Sequence, residues 1–235
     1  MSADVLTLDS LRCGYGQATV IRDVSLTIRR GEVLSLLGKN GMGKSTLLMC
    51  VMGFLPRQAG RVFFEGEPLE TGNPHRQAER GIAYAQQEKS VFQDLSVEEN
   101  LKIAVADSRQ FASGLKRIGE YFPFIPQRLG QKAGTLSGGE QKMLVLGRAL
   151  MMRPRLLLVD EISEGLQPSV IERISTVLQA ERKASSVAML IVEQNVGFAL
   201  KTADRYVVLD RGELGVSGDT QDTGAKERIL SELGV

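Results

Sequence analysis

Apolar positions in the first third of the chain follow the patterns of short strands. Apolar residues cluster at residues 5–8 and alternate with polar ones over residues 24–28, and both patterns predict strands. The run Val33–Leu37 predicts a buried strand that ends at Gly38. Over residues 44–55 the pattern changes to that of a helix. The opening third is therefore expected to be rich in β structure, with a helix soon after Gly38.

Residues 89–133 differ from the segments on either side of them. Ser96 and Glu99 have the spacing of a capping box ahead of a helix. Pro123 and Pro126 are expected to break a later helix, because proline lacks the N–H that a helix interior needs. This stretch therefore predicts an inserted helical lobe.

Helix and strand patterns alternate in the remainder of the chain. They predict a helix over 138–152, a buried strand over 156–159, an amphipathic helix over 168–183 and a buried strand over 187–192. Such alternation predicts a parallel sheet that is covered by helices on both faces. We predict a single domain over residues 1–235, in which 1–88 and 134–235 form the core with a β subdomain and 89–133 form a helical subdomain.

The charge balance gives no support to a polyanionic partner. Lys and Arg number 29 against 28 Asp and Glu, so no electrostatic argument favours nucleic acid or an acidic membrane surface, and we expect no nucleic acid to bind. The two cysteines, Cys13 and Cys50, are too few for a disulfide framework or a Cys-based metal site. We expect both to be reduced residues that contribute to packing.

The sequence also lacks the features of an exported or membrane-spanning chain. No stretch approaches the roughly 18 apolar residues that a spanning helix needs. The first residues include Asp4 and contain no apolar run of signal-peptide length. We therefore expect the chain to stay in the cytosol.

A glycine-rich segment between an apolar strand and a helix matches the pattern of a phosphate-binding loop. Its backbone N–H groups can turn inward around phosphate, and the following helix points its positive end at the same place. Lys44 would then neutralise the β and γ phosphates, and Ser45 would hold Mg²⁺. The alternative is a glycine-rich turn without a ligand. The expected nucleotide-binding residues are Gly38, Lys39, Asn40, Gly41, Met42, Gly43, Lys44, Ser45 and Thr46.

A second candidate lies where an apolar strand ends in two carboxylates, Asp160 and Glu161. The carboxyl ends of parallel strands present groups to a ligand. Asp160 can orient the Mg²⁺ shell and Glu161 can polarise the attacking water, because phosphoryl transfer depends on positioning and charge neutralisation. By itself such a pair is more often a solvated turn. Beside a phosphate-binding loop, the catalytic interpretation is the stronger one.

A Ser-Gly-Gly turn opens the helix predicted from residue 138, and a turn of this kind is a second site for an anion. Without context it is simply a good helix N terminus. In a chain that already has a phosphate-binding loop, it indicates a shared nucleotide. The segment consists of Leu136, Ser137, Gly138, Gly139, Glu140 and Gln141.

This segment resembles the LSGGQ or LSGGEQ signature of the ABC ATPases, and the resemblance covers essentially the whole chain. The motifs stand in the family's order, with an aromatic residue at Tyr15 first, then the phosphate-binding loop, Gln87, the signature, and Asp160 with Glu161. The resemblance implies an α/β P-loop NTPase (RecA-like) fold. In that fold a mostly parallel sheet carries an N-terminal antiparallel β subdomain and an inserted α-helical subdomain.

The resemblance also implies how ATP is bound and hydrolysed. Two subunits would form a head-to-tail dimer in which the phosphate-binding loop of one and the signature of the other enclose ATP. Tyr15 would stack on adenine, and Gln87 would sense both Mg²⁺ and the transporter contact. Ser45, Gln87 and Asp160 would then surround the metal. Closure by ATP and opening after hydrolysis would drive transport, since the γ phosphate gives differential affinity for the closed state.

Within the family the chain is most similar to the F-type (LivF-like) ATPases of branched-chain amino-acid uptake and to the related urea ATPases. The similarity rests on residues 81–84, 95–101, 147–150 and 192–195. It implies an importer of a branched-chain amino acid, an amide or urea. The implied partners are transmembrane permease subunits, a second ATPase (a LivG-like subunit or another copy of this chain) and, indirectly, a periplasmic solute-binding protein. The chain would lie peripherally on the cytoplasmic face of a bacterial inner membrane.

Three positions depart from the family's usual pattern, and one of them is Gln86, which stands ahead of Gln87 where Pro is usual and leaves that loop less restricted. Gln194 stands where most members have His; its amide can still donate a hydrogen bond to the γ phosphate but does not titrate near neutral pH. We expect it to complete a catalytic set with Glu161 and Gln87. Ile162 stands where Pro is usual, so the loop around Ser163 is less restricted. This leaves open a second interpretation, a regulatory subunit that binds ATP and hydrolyses it weakly.

Overall fold

The computed structural model describes residues 4–87, 91–105 and 107–234. The strands are β1 (Asp4–Tyr15), β2 (Ala18–Arg29), β3 (Val33–Leu37), β4 (Arg57–Phe64), β5 (Glu67–Pro68), β6 (Ile82–Ala85), β7 (Leu156–Asp160), β8 (Ala188–Glu193), β9 (Arg205–Asp210) and β10 (Glu213–Asp219). The helices are α1 (Lys44–Val51), α2 (Pro74–Glu79), α3 (Val97–Lys102), α4 (Ser108–Tyr121), α5 (Phe124–Gln127), α6 (Gly138–Met151), α7 (Pro168–Ser185), α8 (Val196–Thr202) and α9 (Ala225–Leu233). A short 3₁₀ helix covers Ala133–Thr135.

Within the described residues the strands form one sheet, in the order β5-β4-β1-β2-β10-β9-β3-β8-β7-β6. Strand β3 is parallel to β8 and β9, and β7 is parallel to β8 and β6. Strand β1 is antiparallel to both β2 and β4. The fold class expected from the sequence is therefore confirmed: a parallel α/β core joined to an N-terminal antiparallel region. The join is the parallel bridge between Asp23 of β2 and Glu213 of β10.

Most predicted elements are present in the structure, but the end of α1 and the effect of Pro126 differ from the prediction. Helix α1 ends at Val51, earlier than predicted, because Gly53 adopts a left-handed φ of 81° that stops the helix. Pro126 lies inside the one-turn helix α5 and does not end a helix. Proline is tolerated there because the first N–H groups of a helix have no partner within it.

The predicted capping box at the start of α3 is confirmed. The Ser96 hydroxyl accepts a hydrogen bond from the backbone N–H of Glu99, whose carboxylate accepts one from the N–H of Ser96. Helices α4 and α5 place Ile118 and Ile125 in the same buried apolar cluster as Leu146 of α6. The predicted boundary at residues 88 and 89 lies outside the described residues, and the division into core and helical subdomain stays a prediction.

The core contains an apolar cluster on each side of the main sheet. One joins β1, β2 and β4 to α1, and the other joins the parallel strands to α3–α7. Cys13 and Cys50 are free and buried together in the first cluster, as predicted. None of the described helices combines the length and the apolar character that crossing a membrane requires.

Candidate active site

The phosphate-binding loop connects β3 to α1 at the carboxyl edge of the parallel strands. Gly43, the N-cap of α1, has a φ of 102°, and a Cβ on it would come within 2.8 Å of the Ile21 Cδ1 atom. Only glycine fits both conditions without strain. No side chain caps the first turn of α1 and no acidic residue lies in it. Its backbone N–H groups are therefore available to an anion.

Lys44 is buried beneath this loop, with 3% of its surface exposed. Its Nζ donates to the carbonyl oxygens of Gly38 at 2.8 Å and Lys39 at 2.9 Å. It also forms an ion pair with Glu161, with Nζ and Oε1 2.8 Å apart. Each charge compensates the other in a buried place. A phosphate group that binds Lys44 has to compete with Glu161 for it.

Asp160 ends β7 and receives two hydroxyl hydrogen bonds. Ser45 Oγ donates to Oδ1 at 2.9 Å, and Tyr84 Oη donates to Oδ2 at 2.8 Å. Burial raises the pKa of Asp160, and the hydrogen bonds from Tyr84 and Ser45 act in the opposite direction. Burial and the neighbouring Asp160 also raise the pKa of Tyr84, so Tyr84 stays a neutral donor.

Ser45 and Asp160 fit a magnesium ion. A hydroxyl and a carboxylate oxygen lie side by side at the phosphate-binding loop. Mg²⁺ prefers such oxygen ligands and usually keeps several waters while binding one or two carboxylates and substrate phosphates. Among the residues described, no cluster of three or more His, Cys, Asp or Glu side chains forms a metal site of its own. Ser45 and Asp160 therefore supply two oxygen ligands of the kind that Mg²⁺ takes beside substrate phosphates.

Glu161 combines burial with an unusual backbone conformation. It is 4% exposed and has a φ of 43°, which is uncommon for a residue other than glycine and costs on the order of 1–3 kcal/mol. Gln87 Nε2 donates to its Oε2 at 3.0 Å, and Gln87 also contacts Glu164. Lys142 Nζ donates to the backbone oxygens of Glu161 at 3.1 Å and Glu164 at 2.9 Å. Backbone strain of this kind concentrates at functional sites, where surrounding contacts maintain it.

Gln194 follows β8 and faces the same carboxylate. Its Nε2 donates to Asn40 Oδ1 at 2.6 Å and to Glu161 Oε2 at 3.4 Å. The side chain thus connects the phosphate-binding loop to the candidate catalytic acid.

One cleft brings together most of the predicted residues of the phosphate-binding loop, along with Tyr15, Gln87 and Glu161. Its volume is about 290 Å³, and it is lined by Tyr15, Val20, Asn40, Gly41, Gly43, Lys44, Ser45, Thr46, Gln87 and Glu161. Tyr15 is 52% exposed, so its ring is accessible. A neighbouring cleft of about 430 Å³ shares Asn40 and Glu161 and adds Ser163, Glu193 and Gln194. Gly38 and Lys39 contribute through their backbone oxygens.

The signature segment lies apart from these clefts: none of residues 136–141 lines either of them. Ser137 is the N-cap of α6 and forms a capping box with Glu140. The hydroxyl accepts from the N–H of Glu140 at 3.3 Å, and Glu140 Oε2 accepts from the N–H of Ser137 at 3.0 Å. Arg128 Nη1 pairs with Glu140 Oε1 at 2.8 Å. Burial raises the pKa of Glu140, but the bonds from Ser137 and the charge of Arg128 outweigh it and leave the pKa below its usual range.

A sequence model of the ABC transporter family matches residues 21–164 of this chain, a stretch that contains the phosphate-binding loop, the signature and Glu161. The chain belongs to the ABC transporter family. It is therefore an ATP-binding ATPase subunit, and subunits of this kind work with transmembrane permease components.

Relatives cover nearly the entire length of this ABC ATPase. It is 41% identical over 224 residues to the high-affinity branched-chain amino acid transport ATP-binding protein BraG of Pseudomonas aeruginosa, covering 94% of each chain. It is 35% identical to the probable LivF of Archaeoglobus fulgidus, covering 93% of this chain and 94% of that protein. Identity to the lipopolysaccharide export ATP-binding protein LptB of Escherichia coli is 33%, with 97% of each covered. A nucleotide-free ATP-binding cassette superposes with a TM-score of 0.87 at 25% identity, covering 97% and 95%.

Sequence motifs did not reveal three side chains that contact this ABC site: Tyr84, Lys142 and Glu193. Tyr84 reaches Asp160 because β6 lies beside β7 in the sheet. Lys142 lies in the second turn of α6, and Glu193 is the last residue of the otherwise apolar β8. An acid at the end of a buried strand was a signal available in the sequence for Glu193. Tyr84 and Lys142 could be found only from the order of the elements in space.

Proposed function

We propose that this ABC ATPase powers the import of a branched-chain amino acid or of a related small polar solute such as an amide or urea. The observation that carries the ATPase part is the cleft in which the phosphate-binding loop, Gln87 and Glu161 meet. The solute and the direction of transport rest on the names of BraG and LivF. As in such systems, the chain would work on the cytoplasmic face of a bacterial inner membrane.

The contacts of Lys44 suggest how ATP would activate the site. In the structure Lys44 pairs with Glu161. Phosphate groups in the cleft would draw the ammonium toward themselves, so the Glu161 carboxylate would become free to accept a hydrogen bond from the attacking water. Gln87 and Gln194 both donate to Glu161 and would hold it in place, and the Gln194 amide could also reach the γ phosphate. Ser45, Asp160 and Gln87 would hold Mg²⁺, which neutralises charge on the transferred phosphate.

A second subunit would complete the site. The signature segment of this chain lies away from its own cleft. In the proposed arrangement it would face ATP bound to a partner ATPase, either a LivG-like subunit or another copy. Closure of this dimer around ATP would move the permease subunits, and a periplasmic solute-binding protein would deliver the solute.

A second candidate function is export. The observation in its favour is the similarity to LptB, an export-system ATPase that aligns over nearly the whole chain. Purification of the native membrane complex separates the two functions. Import predicts a co-purifying solute-binding protein and ATP-dependent uptake of labelled leucine or urea by the reconstituted complex. Absence of uptake, together with outward movement of another cargo, would reject the import proposal.

Replacement of the candidate base distinguishes an ATPase from a regulatory ATP-binding subunit. We expect Glu161→Gln to lower ATP turnover by the assembled complex by about 10²–10³-fold and to trap an ATP-bound dimer. ATP binding is kept in this variant, whereas activation of the attacking water is lost. Dimerisation is measured by size-exclusion chromatography with ATP, and turnover by phosphate release. Glu120→Gln, on the exposed face of α4, is the control. A parent complex whose turnover is unaffected by Glu161→Gln would favour the regulatory interpretation.

A further inference from the structure

Glu193 is a buried carboxylate at the end of a buried apolar strand. Only 1% of its surface is exposed, and the preceding residues of β8 are all buried and apolar. A carboxylate is rarely buried this completely unless hydrogen bonds compensate for the lost water. Burial raises the pKa of Glu193, and hydrogen bonds from Ser163, Asn195 and Gln194 act in the opposite direction.

The contacts of this carboxylate join two loops of the site. Ser163 donates twice, from its backbone N–H to Oε1 at 3.0 Å and from its hydroxyl to Oε2 at 2.8 Å. Gln194 and Asn195 follow Glu193 directly in the chain, and their backbone N–H groups act to lower the pKa of the carboxylate. One side chain thus holds the loop that follows Glu161 against the turn that carries Gln194.

The backbone of Glu193 makes a third connection. Its carbonyl oxygen accepts from the N–H of Gly38, the first residue of the phosphate-binding loop, at 3.3 Å. Glu161 is held to the same strand, since its N–H donates to the carbonyl oxygen of Val192 at 3.0 Å. The end of β8 therefore contacts the start of the phosphate-binding loop, Glu161 and the Ser163 loop.

The loop that Glu193 holds has no proline ring at residue 162 to fix its backbone. Ile162 precedes Ser163, and an isoleucine does not fix the backbone as a proline ring does. Gly165, with a φ of 70°, adds freedom two residues later. The paired hydrogen bonds to Glu193 supply a restraint that the local sequence does not.

We propose that Glu193 is a positioning residue that holds the Ser163 loop, which follows Glu161, and Gln194 in one fixed relation, so that Glu161 and Gln194 meet the γ phosphate together. This inference rests on the proposed function, in which Glu161 and Gln194 act on ATP. In this proposal Glu193 acts through Ser163 and Gln194 and not through contact with the substrate. Its loss should therefore lower kcat and leave ATP binding nearly unchanged, whereas a general loss of folding would lower both.

The test compares Glu193→Ala, Glu193→Gln, Ser163→Ala and the double variant Glu193→Ala/Ser163→Ala in the full transporter complex. We expect Glu193→Ala to lower kcat by roughly tenfold or more, with the ATP dissociation constant and KM within about twofold of the parent. Ser163→Ala should lower kcat less, because its backbone N–H still donates. The double variant should be no slower than Glu193→Ala, because both changes remove the same connection.

Glu193→Gln keeps the shape of the side chain and one acceptor oxygen, so its kcat should lie between the parent and Glu193→Ala. It also keeps the experiment decisive if Glu193→Ala does not fold. Glu172→Gln, on the exposed surface of α7, should behave like the parent. Parental kcat in Glu193→Gln and Ser163→Ala, or equal losses of kcat and ATP affinity, would overturn the inference. If the parent complex itself does not hydrolyse ATP, the proposed function fails instead.

Discussion

Two helices begin at the turns that the sequence assigns to ATP, and their N termini are satisfied in different ways. Helix α1 follows Gly43, with no side-chain cap and no acid in its first turn. Helix α6 follows Ser137, and a full capping box with Glu140 closes its first turn. The first N–H groups of any helix need partners from outside its own ladder. At α1 they are left for a ligand, whereas at α6 the chain itself supplies two of the partners.

This difference indicates that a single chain offers ATP one open phosphate site and one that its own side chains already partly occupy, since the N–H groups of Ser137 and Glu140 have partners. The α1 site has a buried cation beside it, whereas the α6 turn carries an anion, Glu140, paired with Arg128. We infer that the isolated chain binds ATP through α1 alone. The signature turn would contribute only when a partner brings ATP close enough to compete with the capping box.

Lys44→Ala should have the largest effect, because it tests ATP binding at the start of α1. Loss of the ammonium should reduce ATP hydrolysis by the complex by about 10²–10³-fold, because the phosphate charges lose their main compensation at α1. ATP binding by the isolated chain should weaken as well. Lys183→Ala, an exposed lysine on α7, is the matched control. Isothermal titration and phosphate release provide the two measurements, and unchanged ATP binding by the isolated Lys44→Ala chain would contradict the role of α1.

Ser137→Ala tests the other helix, and the chain contains a matched control for it. Ser96 caps α3 with the same capping box, to Glu99, but lies outside the signature. Either change to alanine should lower the free energy of unfolding by about 1 kcal/mol, since each removes an N-cap. Only Ser137→Ala should also lower turnover of the complex, by roughly tenfold, because it removes a donor expected to face the partner's ATP. Equal turnover in the two variants would mean that α6 acts only as a capped helix.

Much of the fold could be predicted because the parallel strands are buried on both faces and therefore continuously apolar. Strand β3 was predicted with its observed bounds, Val33–Leu37, for this reason. Strand β10 was not predicted, since its residues alternate between exposed and half-buried positions and include Gly215 and Gly218. Its pairing with β9 depends on the turn at Arg211 and Gly212, both with positive φ. The hydrophobic pattern does not show this turn, so it could not predict the pairing of β10 with β9.

In the candidate site, too, some residues could be predicted from the sequence and others could not. The phosphate-binding loop and the Asp160–Glu161 pair are contiguous in sequence, so their chemistry is visible without a structure. Tyr84 donates to Asp160 across 76 residues of sequence, and Glu193 contacts Ser163 across 30. Contacts at such separations follow from strand order and register. They could not be predicted from the spacing of residues along the chain.

Glu140→Gln removes only the negative charge at the start of α6, and it should have the smallest effect. Glutamine can still complete a capping box, so the helix start is kept, but the favourable interaction of an anion with the helix N terminus is lost. The free energy of unfolding should therefore fall by about 0.3–1 kcal/mol. ATP binding to the complex should change in the opposite direction: KM should decrease by roughly two- to fivefold, because a negative charge no longer opposes the partner's phosphates. The isolated chain should bind ATP as before, since its α1 site is untouched. An increase in KM would show that Glu140 assists nucleotide binding. It would contradict the inference that the capping box competes with ATP at the start of α6.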